Sequence, residues 1–224
     1  MSRIIAVAQR KGGVGKTTLA ISFAAEAKKR GRNVALIDGD SQISACRWAE
    51  LGNLDFPVYE LTLDNQSVSE WAREVRRIAG EDIVIDTAPS DRALGAAIAL
   101  ADLVLAPCTP SGLDIEATAH TLEIIGAVRA RRHGAPKVVL VPNRIDTRTL
   151  EGRQLFEELV SFGEPVSPPI GDRAAFVRAF STGCAVGDLA FGWAADQDIR
   201  RLCDFIEETF AVDPIERAAN ASIP

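Results

Sequence analysis

Short apolar segments alternate with longer segments of helical period along most of the chain. The apolar segments, from RIIAVA at residues 3–8 to KVVLVPN at residues 137–143, have the length and composition of buried strands. Each is followed by a stretch in which apolar residues recur every three or four positions. In the second of these stretches, SQISACRWAELG, Ser41 is placed to cap the helix. Strands separated by helices of this length form βαβ units with right-handed crossovers. The pattern therefore predicts an α/β fold, with a mainly parallel, twisted sheet and helices on both faces.

The composition agrees with a sheet that is covered on both faces. Hydrophobic residues make up 47% of the 224 positions but aromatic residues only 6%, so aliphatic side chains supply most of the core. A chain of this length fits a single domain, which we place at residues 1–212. The last segment, DPIERAANASIP at residues 213–224, has no periodic apolar face and is predicted to be a loose tail.

Charge, cysteine spacing and hydropathy limit the ligands and the cellular location that are expected for the protein. The net charge of −6 gives no general sign of nucleic-acid binding, although a local basic patch is compatible with it. The four cysteines form no C-x-x-C pair, which argues against a zinc site or a disulfide-exchange site. No stretch has the pattern of a signal peptide or a membrane span. We expect a soluble, cytoplasmic protein.

A glycine-rich loop, RKGGVGKTT at residues 10–18, lies between the first predicted strand and the first predicted helix. Its glycines let backbone N–H groups surround a polyphosphate, and the helix N-terminus adds a favourable dipole. The loop departs from the usual G-x-x-x-x-G-K-[ST] spacing because Arg10 stands where the first glycine is expected. Lys16 is predicted to hold the β- and γ-phosphates, and Thr17 to give its hydroxyl to Mg²⁺. The predicted nucleotide-binding residues of the loop are Gly12, Gly13, Val14, Gly15, Lys16, Thr17 and Thr18.

Two further strand ends carry carboxylates. LIDGDSQ places Asp38 and Asp40 at the end of the second strand, and IVIDTAP places Asp86 at the end of the fourth. The carboxyl ends of parallel strands face the ligand crevice, and Mg²⁺ takes oxygen ligands while keeping part of its water shell. Asp86 is predicted to be a Mg²⁺ ligand, and Asp40 to orient or activate an attacking water. An ordinary helix cap is the alternative for each of these acids.

Several segments together carry a resemblance to a known family. KGGVGKTT, LIDGDSQ and IVIDTAPSD resemble the deviant Walker A, Walker A′ and Walker B motifs of the ParA/MinD family of P-loop NTPases, which are ATPases. VLAPCTPSGLDIEA and NRIDTRTLEGRQ resemble later segments of that family, so the resemblance runs from about residue 3 to 210. Within the family, the chain is most similar to small ParA-type proteins of plasmid partition and cargo positioning that lack an N-terminal helix-turn-helix extension.

The resemblance also implies roles for single residues. In the family, the lysine at the place of Lys11 crosses a dimer interface to the partner's nucleotide, where a cation offsets phosphate charge. Asp40 matches the hydrolytic aspartate, and Asp38 lies in the metal shell. Asn143 stands where the family often places an adenine contact, although an asparagine in a turn is the alternative, and Asp172 is placed near the base. The implied catalytic residues are Lys11, Lys16 and Asp40, and those around Mg²⁺ are Thr17, Asp38 and Asp86.

Members of the family bind one of three things, a membrane, an iron–sulfur cluster or DNA, and the sequence favours DNA. MinD-like members bind membranes through a basic amphipathic C-terminal helix, which the AVDPIERAANASIP segment does not resemble. Members that hold an iron–sulfur cluster need paired cysteines, and no second cysteine follows Cys108 before Cys184. ParA-like members bind DNA without sequence specificity through phosphate contacts. Arg148 and Arg173 align best with their DNA-contacting arginines, with a solvated helix face as the alternative.

The resemblance therefore implies a molecular switch. ATP and Mg²⁺ bind, two copies close into a homodimer, the dimer binds DNA of the nucleoid, and a ParB-like adaptor stimulates hydrolysis. Repetition of this cycle positions a plasmid, a chromosome region or a protein assembly. The alternative is a metabolic P-loop enzyme of the dethiobiotin-synthetase type that acts on a small substrate. A regulator that binds ATP without hydrolysing it is a third interpretation, against which Asp40 argues.

Overall fold

The computed structural model describes residues 2–64, 66–189 and 191–210. They form one sheet in the order β3-β2-β4-β1-β5-β6, in which every neighbouring pair is parallel. The predicted α/β fold is confirmed, and the predicted tail at residues 213–224 lies outside the described residues. The strands are β1 (Arg3–Val7), β2 (Val34–Asp38), β3 (Val58–Glu60), β4 (Asp82–Asp86), β5 (Leu103–Cys108) and β6 (Lys137–Pro142).

Helices cover both faces of this sheet. They are α1 (Lys16–Lys29), α2 (Ser44–Ala49), α3 (Val68–Val75), α4 (Asp91–Leu100), α5 (Gly112–Arg129), α6 (Leu150–Val160), α7 (Ala174–Thr182), α8 (Val186–Leu189) and α9 (Ala194–Thr209). Side chains alternate along a strand, so Val84 packs with α1, α2 and α7 to α9, whereas Ile83 and Ile85 pack with α3 to α6. Across the described residues, none of the helices combines the length and the apolar character needed to cross a bilayer.

The strand β4 lies between β2 and β1 and is buried from Asp82 to Asp86. Asp86 stands in register with Asp38 of β2 and with Val7 of β1. The carboxyl ends of these three neighbouring strands therefore meet at one edge of the sheet. The glycine-rich loop leaves β1 at the same edge, so the fold brings the loop and the predicted carboxylates together.

Two local predictions differ from the structure. The sequence places the cap of the second helix at Ser41, but α2 begins at Ser44, after Ile43 with a left-handed φ of 47°. The reason is that the first turn of α2 is capped from β2, because Asp38 accepts hydrogen bonds from the N–H groups of Ala45 and Cys46. The helix α8 has no counterpart in the prediction, since its four residues are too few to show a period.

Candidate functional site

The loop between β1 and α1 wraps around the N-terminus of α1. Gly13 and Gly15 have φ angles of 80° and 93°, in the left-handed region that glycine adopts without strain. Gly15 directly precedes α1, and no side chain of the described residues caps this helix. The N–H groups of its first turn are therefore left for a ligand. Together with the positive end of the helix dipole, they form an anion-binding site.

Lys16 opens α1 and turns its side chain back over the loop. The residue is buried, and its Nζ donates a hydrogen bond to the backbone oxygen of Lys11 over 3.1 Å. Burial lowers the pKa of Lys16, and the nearby carboxylates of Asp86 and Asp40 oppose that shift. The structure thus places the cation of the loop beside the anion-binding N–H groups, where it suits phosphate oxygens.

Thr17 and Asp86 form the centre of the site. The Thr17 hydroxyl donates to Asp86 Oδ2 at 2.6 Å, whereas Asp86 Oδ1 is buried and accepts no hydrogen bond from the described part of the chain. Burial raises the pKa of Asp86 to about 7; the Thr17 hydrogen bond opposes the rise and Asp38 adds to it. A hydroxyl and an unpartnered carboxylate oxygen are ligands that Mg²⁺ prefers, so the two residues fit the predicted metal.

Asp38 and Asp40 lie beside this centre and make different contacts. Asp38 is fully buried, and its Oδ2 accepts the N–H groups of Ala45 and Cys46 at 2.8 and 3.0 Å. Burial raises the pKa of Asp38, and these backbone hydrogen bonds oppose the rise. Asp38 thus acts as a helix cap, the alternative given above, and its place in a metal shell stays a prediction. Asp40 lines a cavity over the loop and accepts the N–H of Gln42 at 3.0 Å.

Lys11, the second lysine of the loop, is paired within its own chain. Its Nζ forms an ion pair with Oδ1 of Asp114 in the first turn of α5, and 37% of the lysine side chain is exposed. Asp114 is buried and also accepts a hydrogen bond from the Thr109 hydroxyl. The sequence does not mark Asp114 as a site residue, because an acidic residue in the first turn of a helix is common and needs no ligand to explain it.

The cavity over the loop has a volume of about 770 Å³. Its lining combines polar groups, among them the loop, Asp40 and Asp172, with the aromatic side chains of Trp48, Phe176 and Phe180. The rings of Trp48 and Phe180 meet edge to face, with their centroids 5.3 Å apart. Asp172, which is predicted to lie near the base, lines the cavity, and its contact with a base stays a prediction. The three aromatic residues are not predicted from the sequence, because they come from α2 and α7 and are far apart in the chain.

Asn143, at the end of β6, supports the loop. Its Nδ2 donates to the backbone oxygen of Val14 at 2.7 Å, and the residue is buried. A Cβ added to Gly15 would lie 2.5 Å from that nitrogen, so the close approach of the amide requires glycine there. Since Nδ2 is engaged with the loop, the contact of Asn143 with adenine stays a prediction.

The two arginines predicted to contact DNA are both paired with carboxylates. The side chain of Arg148 is 89% exposed and pairs with Asp146 at 2.7 Å. Arg173 lines the cavity, and its Nε lies 2.6 Å from Oδ2 of the buried Asp198. The structure therefore leaves Arg148 at the surface and holds Arg173 against the body of the protein. Their contact with DNA stays a prediction.

The parallel sheet, the glycine-rich loop at the start of α1 and the Thr17–Asp86 pair define a P-loop nucleotide-binding protein. The family model described as the CobQ/CobB/MinD/ParA nucleotide binding domain matches residues 5–186. The chain belongs to this family, in which it is a small ParA-type protein, as its motifs predicted.

Known relatives agree with this assignment. The chain is 30% identical over 204 residues to the maintenance of carboxysome distribution protein A of Halothiobacillus neapolitanus, an alignment that covers 88% of this chain and 93% of the relative. A variant of McdA from Cyanothece in complex with ATP has a TM-score of 0.74 at 15% identity, over 95% of this chain and 97% of that one. A plasmid partition protein from Borrelia burgdorferi has a TM-score of 0.70 at 21% identity, over 93% and 99%. At these identities the two structures show a shared fold.

Proposed function

We propose that the protein is an ATP-dependent, dimerising switch ATPase that binds DNA without sequence specificity and positions a cargo. The observation that carries the proposal is the Thr17–Asp86 pair, in which the buried carboxylate has an oxygen without a partner from the described residues and lies near Lys16. The names of similar proteins support a positioning role, since one is a maintenance of carboxysome distribution protein and another is a plasmid partition protein.

The chemistry of the proposal is divided among the residues of the loop and the strand ends. The N–H groups of the loop and Lys16 hold the phosphates of ATP. Thr17 and Asp86 hold Mg²⁺, directly or through water. When bound, Mg²⁺ neutralises charge on the phosphates. Asp40, on the wall of the cavity, orients the attacking water and takes up its proton.

The proposed homodimer is closed by Lys11. Among the described residues, the lining of the cavity includes Gly12, Gly13 and Lys16 but not Lys11. More than a third of the Lys11 side chain is nevertheless exposed to solvent. A cation that is exposed and lies outside its own cavity is available to the phosphates bound by a second copy, whose charge it would offset.

Arg148 and Arg173 are the proposed DNA contacts. Arg148 is the stronger candidate, because its ion pair with Asp146 is at the surface, where such pairs are weak and a phosphate competes easily. Arg173 is the weaker candidate, because its departure would leave the buried Asp198 with less compensation. A dimer doubles the number of such contacts, and a ParB-like adaptor would stimulate hydrolysis. In this proposal the protein works in the cytoplasm, on the nucleoid.

One observation favours a second candidate function. The cavity is lined not only by the phosphate-binding loop but also by three aromatic side chains, Trp48, Phe176 and Phe180. A metabolic enzyme of the dethiobiotin-synthetase type would use such a wall to hold a small substrate next to ATP. ATP hydrolysis that needs a small substrate but no second copy of the chain would favour this candidate.

The experiment that separates the candidates is a DNA mobility-shift assay with ATP, ADP and a slowly hydrolysed ATP analogue. We expect wild-type protein to bind DNA of unrelated sequences with ATP and with the analogue, and Lys11→Ala to lose this binding. Lys29→Ala is the matched control, because Lys29 lies at the other end of α1, where it pairs with Asp188. Absence of DNA binding with every nucleotide would contradict the positioning role and leave an ATPase only.

A further inference from the structure

We infer that Asp114 is a positioning residue that holds Lys11 in its own subunit, so that closure of the dimer requires Lys11 to exchange Asp114 for the partner's phosphates. The inference rests on the proposed function, in which Lys11 crosses to a second copy. In this inference, a residue in the first turn of α5 determines when Lys11 crosses to the second copy.

The contacts of the Asp114 carboxylate leave one of its oxygens to pair with a cation. Its Oδ1 is buried, and among the described residues its polar contact is the ion pair with the Lys11 ammonium. Its Oδ2 accepts the hydroxyl of Thr109, which follows β5 and fixes the orientation of the carboxylate. Lys11 is thus the partner that offsets the charge of Oδ1.

The chain just before Lys11 is anchored to the same helix. The buried Gln9 donates through Nε2 to the Thr118 hydroxyl, and the Thr121 hydroxyl donates to Gln9 Oε1, both at 2.9 Å. Asp114, Thr118 and Thr121 follow an i, i+4, i+7 spacing and therefore share one face of α5. These contacts hold the Gln9 side chain against the face of α5 that carries Asp114, which keeps the start of the loop, and Lys11 with it, close to Asp114.

The backbone end of Lys11 is held by the other lysine of the loop. Lys16 Nζ donates to the Lys11 carbonyl oxygen at 3.1 Å. A phosphate bound by the loop competes for the same Nζ. Nucleotide binding in one subunit therefore removes a restraint on the Lys11 backbone, and phosphates of the second subunit compete with Asp114 for the side chain. The two lysines are linked through this contact.

The exchange has a cost that makes closure depend on phosphate charge. When Lys11 leaves, a buried carboxylate oxygen loses its counter-ion, which is unfavourable. The phosphates across the interface must offset this cost before the dimer is stable. A triphosphate brings more negative charge than a diphosphate, so Asp114 favours closure with ATP over closure with ADP.

Sedimentation velocity of wild-type and Asp114→Asn proteins, over a series of ATP concentrations with Mg²⁺, tests the inference. Asparagine has nearly the same volume and still accepts the Thr109 hydrogen bond, but it lacks the charge. We expect the ATP concentration for half-maximal dimer formation to fall about tenfold, and a dimer fraction to appear with ADP. The matched control, Asp188→Asn, removes the counter-ion of Lys29, 2.8 Å away, and should leave both curves unchanged.

An unchanged or higher ATP requirement in folded Asp114→Asn protein would overturn the inference, since loss of a merely structural contact does not promote closure. Thr109→Val provides a second test if Asp114→Asn fails to fold. It keeps the carboxylate but removes the hydrogen bond that orients it, so we expect a smaller shift in the same direction. No shift in that variant would count against the inference.

Failure of the proposed function can be recognised separately. If Lys11→Ala forms the ATP dimer as readily as wild type, Lys11 does not cross and the proposed dimer contact is wrong. The hold of Asp114 on Lys11 is then read from the rate of Lys11 acylation by an amine-reactive ester, followed by mass spectrometry without nucleotide. A severalfold faster rate in Asp114→Asn, but not in Asp188→Asn, supports the contact, and equal rates overturn it.

Discussion

Asp82 and Asp86 stand at opposite ends of β4 and are equally buried, at 0% and 2% exposure. Asp82 accepts hydrogen bonds from the guanidinium groups of Arg3, at 2.8 and 2.9 Å, and of Arg32, at 2.7 Å. Asp86 has the Thr17 hydroxyl on one oxygen and no partner from the described residues on the other. The carboxylate at one end of β4 thus has hydrogen-bond partners within the protein for both oxygens, whereas the carboxylate at the other end has a partner for one oxygen among the described residues.

The pKa values of the two carboxylates differ for the same reason. Burial would raise the pKa of Asp82, but hydrogen bonds from Arg3 and Arg32 outweigh it and the pKa is lowered. At Asp86 burial dominates and the pKa rises to about 7. Burial alone therefore does not mark a functional carboxylate. A buried oxygen without a partner marks it, because its desolvation is unfavourable until a ligand supplies the missing contact.

The largest effect is expected for hydrolysis. Asp86→Asn should lower Mg²⁺-dependent ATP hydrolysis by about a thousandfold, because the variant loses a charged metal ligand at the site where transition-state charge is stabilised. Asp82→Asn should keep its rate at a temperature at which it is folded. Phosphate release under saturating ATP measures both. A similar loss in the two variants would contradict the division of β4 into a ligand end and a structural end.

A second effect concerns stability at the other end. Asp82→Asn should lower the free energy of unfolding by about 3 kcal/mol at neutral pH, because two arginines lose their buried counter-ion. The pKa of Asp82 is lowered in the folded protein, so this contribution is present above its usual pKa of 3.8 and is lost as the pH falls below it. Urea unfolding near neutral pH and at acid pH measures the difference, which should shrink at acid pH.

The pH dependence of Asp86 has the opposite sign. Between pH 3.8 and about 7 the folded protein keeps a proton on Asp86 that the unfolded chain has lost. The free energy of unfolding therefore falls as the pH rises through this window. Asp86→Asn lacks this group, so in Mg²⁺-free buffer its stability relative to wild type should rise by about 2 to 3 kcal/mol from pH 5 to pH 8. An equal difference at both pH values would show that the carboxylate is not poised as described.

The smallest effect is expected at Asn143. It lies at the ligand end of the sheet, yet its amide nitrogen already has a partner in the Val14 oxygen. Like Asp82, Asn143 is therefore expected to have a structural role. Asn143→Ala should lower the free energy of unfolding by about 1 kcal/mol. Thermal unfolding with and without ATP measures the change. A loss of ATP affinity of more than about a hundredfold, with stability unchanged, would instead support a direct role in binding the base.

Local patterns account for what the sequence predicted well. The alternation of strands and helices, the glycine-rich loop and Asp86 at a strand end are each visible within a few consecutive residues. The contacts of Lys11 with Asp114, of Asn143 with Val14 and of Arg173 with Asp198 are not. Each contact joins two segments that are far apart in the chain, and the sequence does not show how those segments align in the folded protein. For Asp38 the sequence favours a metal role and offers a helix cap only as the alternative, because the usual cap directly precedes its helix, whereas Asp38 caps α2 from β2.

Isothermal titration of ATP, with and without Mg²⁺, into wild type, Asp82→Asn and Asp86→Asn tests most directly whether the unpartnered end of β4 is the ligand site. We expect Mg²⁺ to strengthen ATP binding by about tenfold or more in wild type and Asp82→Asn, and by less than about twofold in Asp86→Asn. An equal gain from Mg²⁺ in all three proteins would contradict a ligand site at Asp86.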